Sequence, residues 1–464
     1  MTPAAWQEEI VARGELFRVG GSIRDRLLGL PETGEVDFIV RGIAPHELEM
    51  LLARHGRVVL VGKAFGVYKF TPSGHAVTCD LVYPRRETST GVGHRDFDVR
   101  WDWNLPVEED LGRRDFTINA IAERIPDGAL IDPCGGERDL GDRILRAIFP
   151  RAFEEDPLRI LRGARFAARF GLRVDDNTEA LMRNSAALVA TVSAERVQEE
   201  FSKSLTQCAT PSRAFELLRS IGALACWLPE LDRCFGVTQN EYHPDDVYWH
   251  SLKTCDAAPA GRLIVRWAAL LHDTGKVDAR QVLTDEAGER VVFYGHEDVS
   301  ARYTSAVLER LRYPHAMVSA CRPLVQEHMF RYLPEWRPAT LRRFMRRVGE
   351  EHLADLFALR EADCRSRSLY DEIAALNELR GRVEEELASN ATLRLRDLRV
   401  DGDDVMAVLG VGAGPGVRTV LEELLETVTE EPGLNTRESL LELLRERAAG
   451  RKRTRDDRDG DGGK

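Results

Sequence analysis

Hydrophobic residues in the first third of the chain form short runs of the length that β-strands need. Five of these runs have the sequences LFRVGG, VDFIV, RVVLVG, GVYKFT and AVTCDLV, and stretches with helical spacing separate them. Strand side chains alternate between two faces, whereas helical side chains repeat about every 3.6 residues. The mixture predicts an α/β or α+β unit with a small sheet, from residue 14 to about residue 145.

Beyond that unit the pattern becomes helical. Arg-rich and Ala/Leu-rich segments occupy residues 146–235, a helical region with most of the histidines covers 236–375, and a last helical region covers 376–450. In this last region, Asn435 and Glu438 have the spacing of a capping box. We therefore expect an amphipathic helix to begin there.

Length and composition are those of a globular protein with several domains. The 464 residues are 43% hydrophobic and 31% charged, and the length predicts about two to four domains. There is no apolar run of about 18 residues, as a membrane span needs, and the N-terminus lacks the pattern of a secretory signal. The eight cysteines are scattered without a CxxC motif, so we expect a reducing cytoplasm rather than disulfides or a zinc ribbon.

The charge distribution directs attention to local clusters of arginine. A net charge of −12 argues against a general nucleic-acid coat, although it leaves room for a basic groove. The last residues, 451–464, carry charges and glycine but no apolar side chain. We expect this tail to be disordered, because it has nothing to bury.

A pair of glycines stands between the first strand run and the helical pattern after it. Gly20 and Gly21 end the run, and Arg24 follows closely. Glycine lets the backbone approach a ligand, amides at a helix N-terminus favour phosphate, and Arg24 adds a positive charge. The motif indicates a phosphate-binding turn, although by itself it is also typical of an ordinary turn.

Two carboxylates one residue apart begin the next strand run. Glu35 and Asp37 point to the same face of an extended chain, and Asp80 lies in a later run. Hard oxygen ligands suit Mg²⁺, which takes a few carboxylates together with substrate phosphates. We therefore predict a magnesium site for phosphoryl or nucleotidyl transfer, with Asp80 as a third acid. Solvated acids at a strand edge are the alternative.

Four arginines follow one side of a predicted helix in the segment EEDPLRILRGARFAARFGL. If the chain is helical after Pro157, at about 100° per residue, Arg159, Arg162, Arg165 and Arg169 fall within about one third of the circumference. Apolar residues occupy the other side. The stripe lacks the alternating acids of a solvated face, so it predicts a docked helix that presents guanidinium groups to an anionic or planar ligand.

Four motifs in order resemble the class II tRNA nucleotidyltransferase and poly(A) polymerase family: GGSIRD, the acid-x-acid pair, RRDFTINA and EDPLRILRGARFAARFGL. The resemblance runs from about residue 17 to residue 235 and continues nearly to residue 447. It implies an α+β fold, with a polymerase-β-like nucleotidyltransferase head that contains a small mixed sheet, followed by mostly α-helical regions. The implied domains are the head (1–145), a helical neck that selects the nucleotide and binds RNA (146–235), an HD domain (236–375), a C-terminal helical tRNA-binding region (376–450) and the disordered tail (451–464).

The resemblance also implies roles for the motif residues. The implied nucleotide-binding residues are Gly20, Gly21, Arg24, Arg113, Asp156, Arg159, Arg162 and Arg165. Asp156 and Arg159 would hydrogen-bond the Watson–Crick edge of the incoming base, because a carboxylate accepts from an amino group and a guanidinium donates to ring nitrogens and carbonyls. Glu35 and Asp37 would bind catalytic Mg²⁺. The family usually has Asp where this chain has Glu35, which moves that carboxylate outward by one methylene.

The histidine-rich region resembles the HD phosphohydrolase family, which binds divalent metal through a His…His-Asp…Asp set. The candidate ligands are His250, His272, Asp273, His296, His328 and Asp363, of which His296 and His328 would serve a second metal or the phosphate. Lys276 is a candidate contact for substrate phosphate. Imidazole and carboxylate together suit a transition metal that activates water against phosphate esters. The alternative is a domain that serves only as a scaffold.

The resemblance therefore implies a CCA-adding enzyme that acts on the acceptor arm of tRNA with CTP, ATP and Mg²⁺, and we expect it to act away from any membrane. Within the family, the alternatives are a CC-only enzyme, an A-only enzyme or a poly(A) polymerase, and residues 84–107 are expected to govern the change from C to A. Outside it, the alternatives are an HD phosphohydrolase with a degenerate RNA-binding head and a non-catalytic tRNA-binding module.

Overall fold

The computed structural model describes residues 4–31, 36–61, 66–89, 97–239, 245–285, 288–389 and 393–460. The chain divides into two compact units. The first comprises Met1–Val237, Ala260–Leu263 and Ala306–Pro314, and the second comprises Thr238–Pro259, Ile264–Ser305 and His315–Lys464. Within the described ranges, none of the helices combines the length and apolar character needed to cross a lipid bilayer.

A seven-stranded mixed sheet organises the first unit. Its strands are β1 (Glu15–Val19), β2 (Asp37–Arg41), β3 (Gly56–Val61), β4 (Val67–Pro72), β5 (Cys79–Val82), β8 (Ala122–Ile125) and β9 (Leu130–Ile131), while β6 (Arg85–Ser89) and β7 (Phe97–Trp101) form a separate hairpin. The spatial order is β3-β4-β5-β2-β1-β8-β9, and only β2 and β5 are parallel among these neighbours. Each of the five hydrophobic runs contains one strand, so the predicted small mixed sheet is confirmed.

The two faces of the sheet pack differently, and this difference positions the acids. One face carries Phe38 and Leu81 into a core closed by α1 (Ala5–Val11) and α3 (Pro45–His55). The other face carries Ile39, which packs with Phe17. Side chains alternate along a strand, and Asp37 is paired with Asp80 in the register of β2 and β5. Both acids therefore belong to the second face.

Short helices complete the first unit around the sheet, and longer ones follow it. The bounds are α2 (Gly21–Leu27), α4 (Val107–Gly112), a 3₁₀ turn (Thr117–Asn119), α5 (Gly136–Gly141), α6 (Ala152–Glu155), α7 (Leu158–Phe170), α8 (Asp176–Asn184), α9 (Ala194–Gln207), α10 (Ser212–Ser220) and α11 (Pro229–Asp232), with β10 (Ile144–Leu145) and β11 (Arg173–Val174) forming a parallel pair. The predicted arginine helix is α7. It begins directly after Pro157 and ends at Gly171, whose φ of 65° is a left-handed conformation that suits glycine.

The second unit is mostly helical. Its elements are α12 (Val247–Ala257), α13 (Leu263–Leu271), α14 (Lys276–Ala279), α15 (His296–Arg310), α16 (His315–Gln326), α17 (Pro338–Val348), α18 (Glu350–Ser366), α19 (Tyr370–Ala388), α20 (Gly402–Leu409), α21 (Pro415–Glu430) and α22 (Arg437–Gly460), with a hairpin of β12 (Gln281–Asp285) and β13 (Gly288–Val292). Two of these helices lie partly in the first unit, because α13 begins there and α15 ends there.

The predicted capping box of the last helix is wrong. The helix α22 starts one residue later than expected, and its first turn is capped by Thr436, whose Oγ1 accepts from the amide of Ser439 at 3.2 Å. Asn435 instead bridges to an earlier segment, since its amide donates to the carbonyl of Asp397 and its Oδ1 accepts from the amide of Arg399. Two adjacent residue types that both favour caps made the position ambiguous from spacing alone.

Candidate active site and metal centre

A cavity of about 560 Å³ opens in the first unit, and cationic side chains dominate its walls. This nucleotide cavity, as we call it below, is lined by Gly20, Gly21, Arg24, Asp37, Arg85, Arg113, Arg114, Asp115, Asn119, Asp156, Arg159, Arg162, Arg165, Phe166, Arg169, Lys203 and Gln207. Nine of these side chains are cationic and three are acidic, an excess that favours a polyanionic ligand. Every nucleotide-binding residue implied by the sequence lies in this one wall, although their roles stay predictions.

The glycine turn forms one side of the nucleotide cavity. Gly20 has a φ of 80°, and a Cβ built there would lie 3.5 Å from Oδ2 of Asp37. A Cβ on Gly21 would come within 3.1 Å of the Arg24 guanidinium. A side chain at either position would therefore occupy space beside the acid and the arginine, and the bare backbone leaves that space to a ligand.

Hydrogen bonds to Asp25 and Asn119 fix the side chain of Arg24. It is 5% exposed, its Nε and Nη2 donate to Oδ1 of Asp25 at 2.8 and 2.6 Å, and its Nη1 donates to Oδ1 of Asn119 at 2.7 Å. The ring of Phe170 lies 4.4 Å from its Cζ. Burial lowers the pKa of Arg24, and Asp25 opposes that effect. Arginine nevertheless keeps its charge, so the side chain is a held cation at the cavity wall.

The predicted magnesium acids are only partly described. Glu35 lies outside the described residues. Asp37 lines the nucleotide cavity, whereas Asp80 accepts from Lys69 at 3.0 Å and does not line it. Asp37 and Asp80 face the same side of the sheet in neighbouring parallel strands. A carboxylate at the wall of a cation-rich cavity fits a Mg²⁺ ion that a bound triphosphate would share.

The RRD motif is anchored by a buried acid that the sequence had not singled out. Asp110 is fully buried, and its Oδ1 accepts from Nε and Nη2 of Arg113 at 2.9 and 2.6 Å. Its Oδ2 accepts from Nη2 of Arg114 at 3.2 Å. Burial alone would raise the pKa of Asp110, but the two arginines outweigh it and hold the pKa below its ordinary value. Both arginines are thereby set at the cavity wall.

The arginine stripe of α7 is organised by two further acids. Nε of Arg162 donates to Oδ2 of Asp115 at 2.9 Å, and Nε of Arg165 donates to Oε2 of Glu200 at 2.7 Å. Burial would raise the pKa of Asp115, but Arg162 and Asn119 hold it below its ordinary value. No pattern in the sequence pointed to Glu200, which lies on a different helix, α9. Asp115 stood inside the RRDFTINA motif without a role.

Asp156 and Arg159 lie at the junction of α6 and α7, and the side chains of both are hydrogen-bonded to other residues of the protein. Oδ2 of Asp156 accepts from Nη2 of Arg196 at 2.8 Å. Nη2 of Arg159 donates to the carbonyl of Arg113 at 3.0 Å, and its Nη1 donates to the carbonyl of Ala152 at 3.3 Å. An acceptor and a donor therefore stand side by side at the cavity wall, which is the arrangement that an amino group next to a ring nitrogen requires.

A second cluster of polar side chains is buried in the other unit. We call it the HD centre; it consists of His250, His272, Asp273, His296, His328 and Asp363, all at most 5% exposed. Oδ2 of Asp273 lies 3.3 Å from Nε2 of His250 and 3.2 Å from Nε2 of His272. Its Oδ1 lies 3.2 Å from Nε2 of His296 and 3.6 Å from Nε2 of His328. The predicted ligands are brought together, and one carboxylate faces two pairs of histidines.

Backbone carbonyls orient three of the four histidines of the HD centre, whereas Nδ1 of His250 lies 3.4 Å from Oγ of Ser366. Nδ1 of His272 lies 2.8 Å from the carbonyl of Ala269, and Nδ1 of His296 lies 2.8 Å from the carbonyl of Phe293. Nδ1 of His328 lies 2.6 Å from the carbonyl of Val325. Each Nδ1 donates there, so in the neutral form of each ring Nε2 carries a lone pair that points at the carboxylate. Burial lowers the pKa of His328 to about 4, which keeps that ring neutral.

This arrangement fits divalent metal. Oδ1 of Asp273 and Nε2 of His296 and His328 are buried without a hydrogen-bond partner among the described residues. Two ligand triads, sharing Asp273, have their ligand atoms within 4.8 Å of one another. Lone pairs that face a carboxylate repel it unless a cation stands between them. The donor set of neutral imidazole and carboxylate is the one that transition metals take.

Asp363, a member of the HD centre, and the neighbouring Lys276 are held by further contacts. Oδ1 of Asp363 lies 3.2 Å from Nε2 of His250, while its Oδ2 accepts from Arg360 and Arg367 at 2.7 and 2.8 Å. Lys276, predicted to meet substrate phosphate, donates to Oδ2 of Asp273 and to Oε1 of Gln239, both at 2.7 Å. The lysine thus lies beside the candidate ligands.

Comparison with protein families and known proteins gives matches along most of the chain. Residues 16–146 match the poly A polymerase head domain, residues 171–235 match the probable RNA and SrmB- binding site of polymerase A, and residues 241–376 match the HD domain. The chain is 42% identical over 353 residues to the multifunctional CCA protein of Aromatoleum aromaticum, covering 74% of this chain and 82% of that protein.

Two solved structures share the fold. The Bacillus stearothermophilus CCA-adding enzyme in complex with CTP aligns with a TM-score of 0.70 at 25% identity, covering 97% of each chain. The Thermotoga maritima CCA-adding enzyme complexed with tRNA aligns with a TM-score of 0.51 at 20% identity, covering 95% of this chain and 92% of that one. The second likeness bears on the fold alone.

Proposed function

We infer the function from the family, because this chain belongs to the class II tRNA nucleotidyltransferase and poly(A) polymerase family, in a form that also carries an HD domain. We propose that it is a CCA-adding enzyme, which adds C, C and A to the 3′ end of tRNA from CTP and ATP and releases pyrophosphate. The observation that carries this proposal is the nucleotide cavity, in which all the implied nucleotide-binding residues meet.

The residues of the nucleotide cavity divide the work of binding. The cations around Arg24, Arg113 and Arg162 neutralise the triphosphate, while Asp156 and Arg159 face the base. Asp37, with Glu35, is proposed to hold Mg²⁺, which lowers the cost of the charge that develops as the tRNA 3′-hydroxyl attacks the α-phosphate and pyrophosphate leaves. The acceptor arm of tRNA is the proposed partner.

A single-nucleotide assay tests this function. Three tRNAs that end at the discriminator base, at C and at CC are incubated with CTP, ATP or both, in the presence of Mg²⁺. Completion of CCA on the shortest tRNA is the expected result. Arrest at CC, addition only to the CC-ended tRNA, or a run of adenosines would indicate the CC-only, A-only or poly(A)-adding alternative. No incorporation would refute nucleotidyl transfer and leave the HD centre as the source of function.

We propose a second activity, metal-dependent hydrolysis of phosphate esters, at the HD centre. The observation that favours it over a scaffold is the set of buried lone pairs that converge on Asp273. Each of the two triads would hold a divalent transition metal ion, and Lys276 would contact the phosphate. Release of phosphate from 2′,3′-cyclic and terminal phosphates, measured after chelation and after adding back Mn²⁺, Co²⁺, Ni²⁺ or Zn²⁺, tests it. A metal-free protein that keeps full activity would contradict the proposal.

We propose a cytoplasmic location for the enzyme. All eight cysteines are free, and six of them are buried. Free thiols are the rule in a reducing compartment, where tRNA is processed. Mass spectrometry of alkylated protein purified without reductant measures the state of these thiols, and disulfides in that material would argue against the location.

A further inference from the structure

We propose that Arg196, which does not line the nucleotide cavity, determines which bases the cavity accepts, because it holds the carboxylate of Asp156 from behind. Given the proposed nucleotidyl transfer, Arg196 is a positioning residue for base selection rather than a catalytic residue.

The carboxylate of Asp156 is fixed at both of its oxygens. Nη2 of Arg196 donates to Oδ2 at 2.8 Å, and the amide of Leu158 donates to Oδ1 at 3.2 Å. A guanidinium donates hydrogen bonds but never accepts them. Oδ2 must therefore be an acceptor, and the charge-assisted bond fixes the orientation of the carboxylate.

An acceptor-only group divides the four nucleobases into two classes. Cytosine and adenine carry an exocyclic amino group, at N4 and N6, which donates. Uracil and guanine carry a carbonyl at the corresponding place, which only accepts. A carboxylate that is held in this orientation attracts the first class and repels the second. If the carboxylate rotates away from the edge of the base, this discrimination is lost, because no acceptor then faces the exocyclic group.

The contacts of Arg196 indicate that a contribution to stability alone does not explain why an arginine occupies this position. Its Nη1 is buried without a hydrogen-bond partner among the described residues. An unpaired buried donor on a charged group costs stability. One turn further along α9, Glu200 binds Arg165 and lies 3.6 Å from Arg162. Arg196 and Glu200, neither of which lines the cavity, thus support cavity side chains from two positions on one face of α9.

Measurements of base selection test the proposal. We would compare wild type with Arg196→Ala and Arg196→Lys, and use Arg173→Ala as the control, since Arg173 forms an exposed ion pair with Asp176 on the same unit. The kinetic readout is kcat/KM for CTP, ATP, UTP and GTP on the three tRNAs. We expect Arg196→Ala to lower the preference for CTP over UTP by about tenfold or more, which is the discrimination of one good base contact. The loss should lie mainly in KM, and Arg196→Lys should restore part of it.

Equilibrium binding of CTP and UTP with Mg²⁺, without tRNA, separates this proposal from the proposed function. If wild type binds CTP more tightly than UTP and Arg196→Ala does not, the proposal holds even where incorporation fails. An equal loss for all four nucleotides, with the CTP to UTP ratio unchanged in both assays, would overturn it. Thermal melting of each variant identifies misfolding, and Arg196→Lys then decides the case.

Discussion

At the scale of single residues, buried acids fix the arginines that face the nucleotide cavity. Asp110 holds Arg113 and Arg114 in place, and Glu200 does the same for Arg165. An anchored guanidinium has little rotamer freedom left to lose when a ligand arrives, so ordering the site costs less binding free energy. The walls of the cavity are therefore prepared for an anionic ligand before it binds.

We expect Asp37→Asn to lower kcat for CTP addition by about 10²–10³, the effect of removing one preorganised electrostatic group from an active site. Asp80→Asn is the matched control, because Asp80 shares the face of the sheet but is bonded to Lys69. A third catalytic acid at Asp80 would make the two variants equally slow. Single-turnover incorporation measures both, and full activity of Asp37→Asn would rule out the proposed role of Asp37.

We expect Asp110 to make the protein sensitive to acid. Its folded-state pKa is lowered, because Arg113 and Arg114 outweigh burial, so its contribution to stability is present above the unfolded pKa of about 4 and is lost as pH falls through the folded pKa. Asp110→Asn should lower the free energy of unfolding at pH 7. Removing one partner of a buried ion pair costs about 3–5 kcal/mol, and we expect a loss near or below the low end of that range, since both arginines are partly exposed. Below pH 4 the difference between the two proteins should shrink.

Urea titrations between pH 3 and pH 7 measure this effect. Asp127→Asn serves as the control, since Asp127 forms an exposed ion pair with Arg124. A gap between Asp110→Asn and wild type that stays constant over the whole pH range would contradict the linkage.

At the scale of elements, α7 approaches the head so closely that one position requires glycine. A Cβ on Gly163 would lie 2.8 Å from Cζ of Phe116, whose ring is fully buried and packs against Phe153 and Phe166. The ring has no room to withdraw. The glycine in the arginine stripe is thus explained by contact between helix and head, rather than by a turn.

We expect Gly163→Ala to destabilise the first unit. Overpacking costs about 1–3 kcal/mol, while alanine recovers about 1 kcal/mol over glycine in a helix. Gly381→Ala is the matched control, because a Cβ there meets nothing within 4 Å inside α19, and it should stabilise the protein. Thermal unfolding followed by circular dichroism compares the two, and the same sign for both would contradict the close approach.

The sequence predicted elements better than partners. The stripe of α7 followed from helical periodicity, which is local, and its start after Pro157 is confirmed. The support from Arg196 and Glu200 was not predicted, because α9 is brought to α7 by tertiary packing that no local period encodes. The cap of α22 was placed at Asn435 instead of Thr436, since both residue types cap helices and only the fold tells which one reaches the helix.

At the scale of the whole molecule, the two candidate centres belong to different compact units. The nucleotide cavity is built in the first, and all six side chains of the HD centre lie in the second. The two chemistries therefore share no side chain. Domain bounds finer than these two units stay a prediction from the sequence, and so do the roles of the individual residues. The expected disorder from residue 451 onward is wrong for 451–460, because α22 continues to Gly460.

We expect His328→Ala to lose about one equivalent of bound divalent metal per chain while His250 and His272 keep theirs, because the two triads share only Asp273. Phosphate release should fall by about 10–100-fold or more, and CCA addition should continue. Inductively coupled plasma mass spectrometry counts the metal. Asp273→Asn should abolish both metal equivalents, and a variant of His328 with unchanged metal content would contradict the second triad.

The fixed acceptor and donor at the start of α7 would limit how far these two residues can determine the order in which nucleotides are added. Asp156 and Arg159 are both hydrogen-bonded to the protein, so in their proposed role they would offer every incoming nucleotide the same acceptor and donor. Cytosine and adenine both match such an arrangement, since each presents an amino group beside a ring nitrogen. The pair would thus exclude uracil and guanine, but it would not distinguish cytosine from adenine. If these two residues read the base as proposed, the choice between C and A must depend on something that changes during the reaction, and the 3′ end of the RNA changes with each addition.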